Sequence, residues 1–299
     1  MLVIFGFLVV IICVFGGFAV GGGHLYALFQ PIEFIIIGGA ALGSFIIGNN
    51  AKVIKATFVA AFSSLKSYPY SKKFYIELLS LFYELTNTIR KEGALAIEND
   101  VENYMESPLF SRYPLIQKQP HIMEFICDNL RLILTGRIDI ASLETMMDMD
   151  IETFEAEQEL PINAIAKVAD SMPAFGIVAA VMGVVHTMES IGIPPQELGA
   201  LIAKALVGTF LGVLIGYGFT APVAGILENR MHSTIKILNC IKVVLIASAN
   251  NFAPTIAVEM ARKVLYADSR PNSKQLEEIL KEIKSSSKTK ETTTEPPNG

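Results

Sequence analysis

The chain has 299 residues, a formal net charge of −5 and 52% hydrophobic residues, with a mean hydropathy of +0.46. That is more apolar than soluble domains usually are, and so mild a charge gives no electrostatic footprint for nucleic acid. Walker A, a GxGxxG after a strand, HExxH and CxxC are all missing, so the sequence points to no enzyme, no catalytic residue, no metal site and no bound cofactor.

The basic residues sort the chain. None of the 24 Lys and Arg lies in 1–51, 168–203 or 205–229; twelve fall between Lys52 and Lys167 and eleven from Arg230 onward, with Lys204 alone between. Basic residues near membrane ends stay on the cytoplasmic side. The expected class is therefore all-α, a polytopic membrane protein with four transmembrane helices and both termini cytoplasmic.

In chain order, residues 1–51 form a first hairpin with spans at about 1–20 and 32–48. The N-terminus has no basic n-region and a poor cleavage site, so the first span is expected to be retained. Glu33 sits at the outer edge of the second span, where a carboxylate reaches water. Residues 52–169 form a cytoplasmic helical domain. Apolar positions at helical spacing mark one helix over 74–90, ended by Gly93, and a second over 121–135, stopped by Gly136. A third runs from Ser142 to about Ala169 and feeds the next span, with a bend at Pro161. Residues 170–222 form a second hairpin with spans at about 173–191 and 199–221. Residues 223–284 form a helical cytoplasmic tail. Its apolar run at 241–249 is too short for a fifth span and carries Lys242, which fits a buried or amphipathic helix. Residues 285–299 are Ser, Thr, Lys, Glu and Pro, a composition of disorder. Cys13, Cys127 and Cys240 read as inert, reduced thiols.

The second hairpin carries the chemistry. Gly176, Ala180 and Gly183 line one face of the third span, and Gly208, Gly212 and Gly216 repeat a small-xxx-small pattern on the fourth. Two readings stay open: close packing within the chain, or a surface for a partner helix that slides. Thr209 either bonds back to a carbonyl one turn earlier or faces a pathway. Pro173 either opens the third helix or, with Pro222, forms a pair of hinges at one membrane face. Lys204 snorkels outward. No Asp or Glu falls mid-membrane, where proton and cation pathways normally place an acid. An ion carrier built this way needs its carboxylate from another subunit, and its energy from an ion gradient.

These residues carry a resemblance. The run from Ala205 to Pro222 (ALVGTFLGVLIGYGFTAP), the run from Asp170 to His186 (DSMPAFGIVAAVMGVVH), Gln30-Pro31-Ile32-Glu33, and Ala253, Pro254, Ala257, Glu259, Arg262 and Lys263 in the tail closely resemble the MotA family of flagellar stator subunits, over about residues 1–270. The related energisers ExbB and TolQ share parts of the third and fourth spans but not the two hairpins around an insertion. The resemblance implies a proton-driven stator in the bacterial inner membrane, five copies around a MotB dimer whose Asp supplies the missing acid. It also implies that Pro173, Pro222, Ala180, Thr209 and Tyr217 belong to ion passage and coupling, and that Arg90 and Glu98 meet the rotor protein FliG. Sodium-driven relatives carry Thr where this chain has Ala180; a hydroxyl replaces water around Na⁺ and a methyl does not, so Ala180 favours the proton as coupling ion. The alternatives are a sodium-driven stator, an energiser of the ExbB/TolQ type, or a passive scaffold or channel.

Overall fold

The computed structural model describes residues 2–66, 68–189, 192 and 194–293. Ten helices carry the architecture. They are α1 (Leu2–Val20), α2 (Pro31–Gly48), α3 (Ala51–Ser64), α4 (Lys72–Glu92), α5 (Pro120–Leu134), α6 (Ile140–Met188), α7 (Pro195–Val213), α8 (Ala221–Ala249), α9 (Pro254–Val264) and α10 (Ser273–Thr293). Short turns, including Glu98–Glu102, fill the connections. Strands are absent among the described residues. The expected all-helical class therefore holds, with four helical stretches long and apolar enough to cross a membrane.

Local chemistry sets the ends. Asn50 accepts from the Val53 amide at 2.9 Å and caps α3; Ser71 does the same for α4 through Phe74. Asp139 caps α6, taking the Ser142 amide at 2.9 Å and its hydroxyl at 2.6 Å. Pro31, Pro120 and Pro195 occupy the first helical position of α2, α5 and α7, where a missing donor is harmless. Gly93, at φ +89°, ends α4, and Gly136, at φ +62°, follows α5.

The chain divides into two units, one of residues 1–67 and 156–231, the other of 68–155 and 232–299. In the first, α2, α6 and α7 pack around Ile37, Ala179, Val207 and Leu211. Phe7 on α1 meets Phe219 at 5.4 Å between ring centroids, and Phe15 meets Phe210 edge-on at 6.3 Å. No residue of Leu2–Ile11 is buried, as suits an apolar helix bathed in lipid.

The second unit has a conventional core. Phe74, Leu78, Leu79, Leu81, Phe82 and Leu85 on α4 are fully buried against α5, α8, α9 and α10. Ile241, Val244 and Leu245 join this core, and Lys242 reaches Asp148 at 2.6 Å. The apolar run at 241–249 is thus a buried helix face. Burial pushes the Cys127 thiol up to about 12 and raises that of Cys240 as well, so both stay protonated and inert.

Two expectations change. Pro173 does not open a helix: α6 continues through both Pro161 and Pro173, because preceding turns and the neighbouring helix hold the backbone. The helical tail does not stop at Ser285. α10 runs to Thr293, since Ser, Thr, Lys and Glu carry only a modest helix penalty and no proline interrupts before Pro296. Residues 294–299 of the expected disordered tail, and 190, 191 and 193 of the outer turn, lie outside the described residues.

Candidate functional site

The site is the packed pair formed by the second half of α6 with α7 and the π-helical turn Leu214–Thr220 that joins α7 to α8. Glycine sets its geometry. A Cβ on Gly176 would fall 2.8 Å from the Gly208 carbonyl oxygen and 3.1 Å from the Gly212 Cα. A Cβ on Gly212 would fall 2.6 Å from the Met172 carbonyl oxygen, and one on Gly183 2.7 Å from the Ala205 Cβ. Two backbones therefore touch along about three turns of α6, a distance only small residues permit. Of the two readings of these glycines, close packing within the chain is realised.

Pro173 lies at this contact. Pro173 removes the donor that would pair with the Ala169 carbonyl. That freed oxygen lies 2.6 Å from where a Gly216 Cβ would be, and the Pro173 Cδ lies 3.1 Å from the same point. The glycine leaves room for the orphaned carbonyl to rest against its Cα, a weak C–H···O contact. Pro222 likewise leaves the Gly218 carbonyl without its helical donor, and the chain there has widened to i→i+5 bonding over Leu214–Thr220. Thr220 donates its hydroxyl to the Ile215 carbonyl at 3.0 Å, which holds one carbonyl of the widened turn. Such π turns are frequent where helices must change register.

The structure groups the expected ion-pathway residues at two levels. Ala180 lies beside Gly208, its amide nitrogen 3.2 Å from where a Gly208 Cβ would sit, next to Thr209. Pro173 packs on Gly216, one residue from Tyr217, and Pro222 follows the π turn. Thr187 and Thr220 bond back to their own helices, whereas no such bond holds the half-buried Thr209. Ile202, Leu206, Val213 and Tyr217 are exposed, and with Thr209 they fall at spacings of four, three, four and four. A continuous, largely apolar stripe of the fourth helix is thus left uncovered, and no carboxylate stands on it.

The structure refines the reading of Glu33. It stands half-buried in the first turn of α2, with one carboxylate oxygen turned toward Gly208 of the fourth helix. Its Oε2 lies 2.8 Å from where a Gly208 Cβ would be, and that oxygen is buried without a hydrogen-bond partner. The space exists because residue 208 has no side chain. Gly216, which receives the orphaned Ala169 carbonyl, was legible only as part of a glycine repeat.

Arg90 and Glu98 stand apart, in the second unit. Arg90 is in the last turn of α4 and Glu98 opens the short helix Glu98–Glu102. Both are exposed, without ion-pair partners among the described residues. Ile97 and Val101, on either side of Glu98, are both buried.

Four long apolar helices, with the last two in backbone contact through glycine, define a membrane protein of the MotA/TolQ/ExbB proton channel family, whose description matches residues 117–239. Residues 4–93 match the motility protein A N-terminal family. The chain is 48% identical to motility protein A of Salmonella typhimurium over 95% of this chain and 96% of that one. To motility protein A of Escherichia coli it is 48% identical over 99% of each. It is 34% identical to the chemotaxis protein LafT of Vibrio parahaemolyticus over 93% of this chain and 97% of that one. The chain belongs to the motility protein A family, and its function is that of a flagellar stator subunit. The fold agrees. The C. jejuni MotAB structure superposes with a TM-score of 0.76 at 19% identity, over 89% of this chain and 96% of that one. The flagellar MotAB stator complex of Bacillus subtilis gives 0.72 at 21%, over 86% and 92%.

Proposed function

We propose that the chain is the ring-forming half of a proton-driven stator in the bacterial inner membrane, with both termini cytoplasmic. Five copies surround two copies of MotB, and the exposed stripe of Ile202, Leu206, Thr209, Val213 and Tyr217 faces the MotB span. The observation that carries this reading is that stripe: an uncovered helix face with a free hydroxyl and no acid, which a partner helix bearing an Asp completes. As that Asp gains and loses a proton, its attraction to the stripe changes. Pro173, which frees the Ala169 carbonyl, and Pro222, which follows the widened turn, let the α6–α7 contact shift in response. A unit charge crossing 100 mV releases about 2.3 kcal/mol, which is the energy each step draws on.

Ala180 places a methyl where a Na⁺ ligand would have to stand, so the coupling ion is the proton. Arg90 and Glu98 pass the motion to the rotor protein FliG through complementary charges. The test is deletion of the gene, scored for filaments by microscopy and for rotation of tethered cells. Normal filaments that do not turn, restored by the wild-type gene, are expected. Normal swimming with a leaky outer envelope or failing iron uptake would instead assign the chain to the ExbB/TolQ energisers.

A further inference from the structure

A cavity of about 560 Å³ lies in the first unit beneath α3, within the about 300–1,000 Å³ of ordinary ligand sites. Its walls include Phe45, Phe58, Ile165, Met172 and Phe219. Only two lining residues, Thr57 and Thr220, carry polar side chains, and both hydroxyls are engaged: Thr57 donates to the Val53 carbonyl at 2.8 Å and Thr220 to that of Ile215 at 3.0 Å. Nothing in the wall offers a polar ligand a partner, so the occupant is hydrocarbon.

The roof says which hydrocarbon. α3 follows α2 directly and has no acidic residue. Its outer face exposes Val59 and Phe62 at 63% and 71%, with Phe58 half-exposed. Lys52 and Lys55 stand exposed in its first turns and Lys66 just past its end. Apolar residues outward with lysines at the ends is the pattern of a helix lying in a membrane interface. Lys52 meets Glu157 only at 3.4 Å with both side chains in solvent, and Lys55, one turn before Phe58, has no ion-pair partner among the described residues. The helix is also pinned. Arg230 donates to the carbonyls of Ser63 at 2.7 Å, Ser64 at 3.1 Å and Lys66 at 2.6 Å, which fixes the C-terminus of α3.

We propose that this cavity holds one acyl chain of an anionic phospholipid of the membrane the protein spans, its phosphate lying against Lys55. The site goes beyond the stator reading and stands on α3 and the cavity alone. It ties the position of Thr220, at the end of the π turn, to the lipid beneath α3.

The chain has no tryptophan, so Phe45→Trp, at a buried wall position, gives it a single indole. The full stator complex, with the wild-type complex as blank, is reconstituted in phosphatidylcholine bilayers containing a minor fraction of phosphatidylglycerol, with brominated acyl chains on one lipid or the other. Brominated phosphatidylglycerol is expected to quench at about fivefold lower mole fraction than brominated phosphatidylcholine, the equivalent of about 1 kcal/mol for one basic residue. Lys55→Gln is expected to erase that preference while leaving the quenching. Quenching that rises equally with either lipid would overturn the anionic site. No quenching by either would show the cavity empty or filled by protein, a second copy included, and overturn the acyl chain. Phe219→Trp, on the opposite wall, serves the same test where Phe45→Trp is not recovered in membranes.

Discussion

Gly212 is hemmed in by backbone on two sides. Any side chain there meets the Met172 carbonyl and the Gly176 Cα within 3 Å, and both are backbone, which has no rotamer to give. Gly212→Val should part α6 from α7 at an overpacking cost of about 1–3 kcal/mol or more, read as loss of the protein from membranes. Gly38→Val, where a Cβ meets nothing within 4 Å, is the matched control and should be tolerated. In the second unit Arg262, 8% exposed, grips Glu259 at 2.6 and 2.8 Å and the Pro271 carbonyl at 3.2 Å. The Arg262 hydrogen bonds hold the Glu259 carboxyl below its ordinary value. The unfolded chain therefore binds that proton more tightly than the folded one. The stabilisation is present above the ordinary carboxylate range and is lost as pH falls through the folded value. Thermal unfolding should show Glu259→Gln less stable than wild type near neutrality, with the two curves converging in acid. The glycine repeat was legible in sequence because its spacing is local. The burial of one Glu33 carboxylate oxygen was not, because it depends on a missing side chain 175 positions away.

Helices differ in how much of their shape their own residues determine. α3, α4 and α5 start and stop where Asn50, Ser71, Pro120, Gly93 and Gly136 dictate, and the apolar spacing inside them gives their buried faces. The π turn has no such signature: Leu214–Thr220 reads as ordinary apolar helix with extra glycine. Its widening follows from Pro222, one turn on, together with the need to seat Gly216 on the Ala169 carbonyl. α6 runs on through Pro161. Pro222→Ala restores the missing donor and lets the turn relax toward α-helix. The complex should still assemble but fail to turn tethered cells, and Pro173→Ala should behave likewise. Loss of either variant from the membrane would make the prolines folding residues instead.

At the scale of the whole molecule, the distribution of 24 basic residues was enough to count the spans, and the four apolar stretches agree with it. Packing partners change after residues 67, 155 and 231, the last two positions lying inside α6 and α8. A helix boundary leaves a mark in sequence, but a change of packing partners along one helix does not. Arg90 and Glu98 looked like ordinary solvated charges until the resemblance singled them out. Reversing both charges should stop torque while leaving the membrane complex intact. Opposite changes on the rotor should restore part of the swimming speed, and no restoration would confine these charges to an internal role.

The burial of Cys127 and Cys240 has a practical consequence. Their protonated thiols react too slowly to take up a maleimide while the protein is folded, and Cys13 lies within the apolar α1, which a charged, water-soluble maleimide does not enter. The native chain is therefore a nearly silent background for thiol labelling. A cysteine introduced at the exposed positions of Met105 or Met149 can carry a fluorophore or spin label without removal of the natural three. Motion of the second unit can then be followed in a protein altered at the probe sites alone.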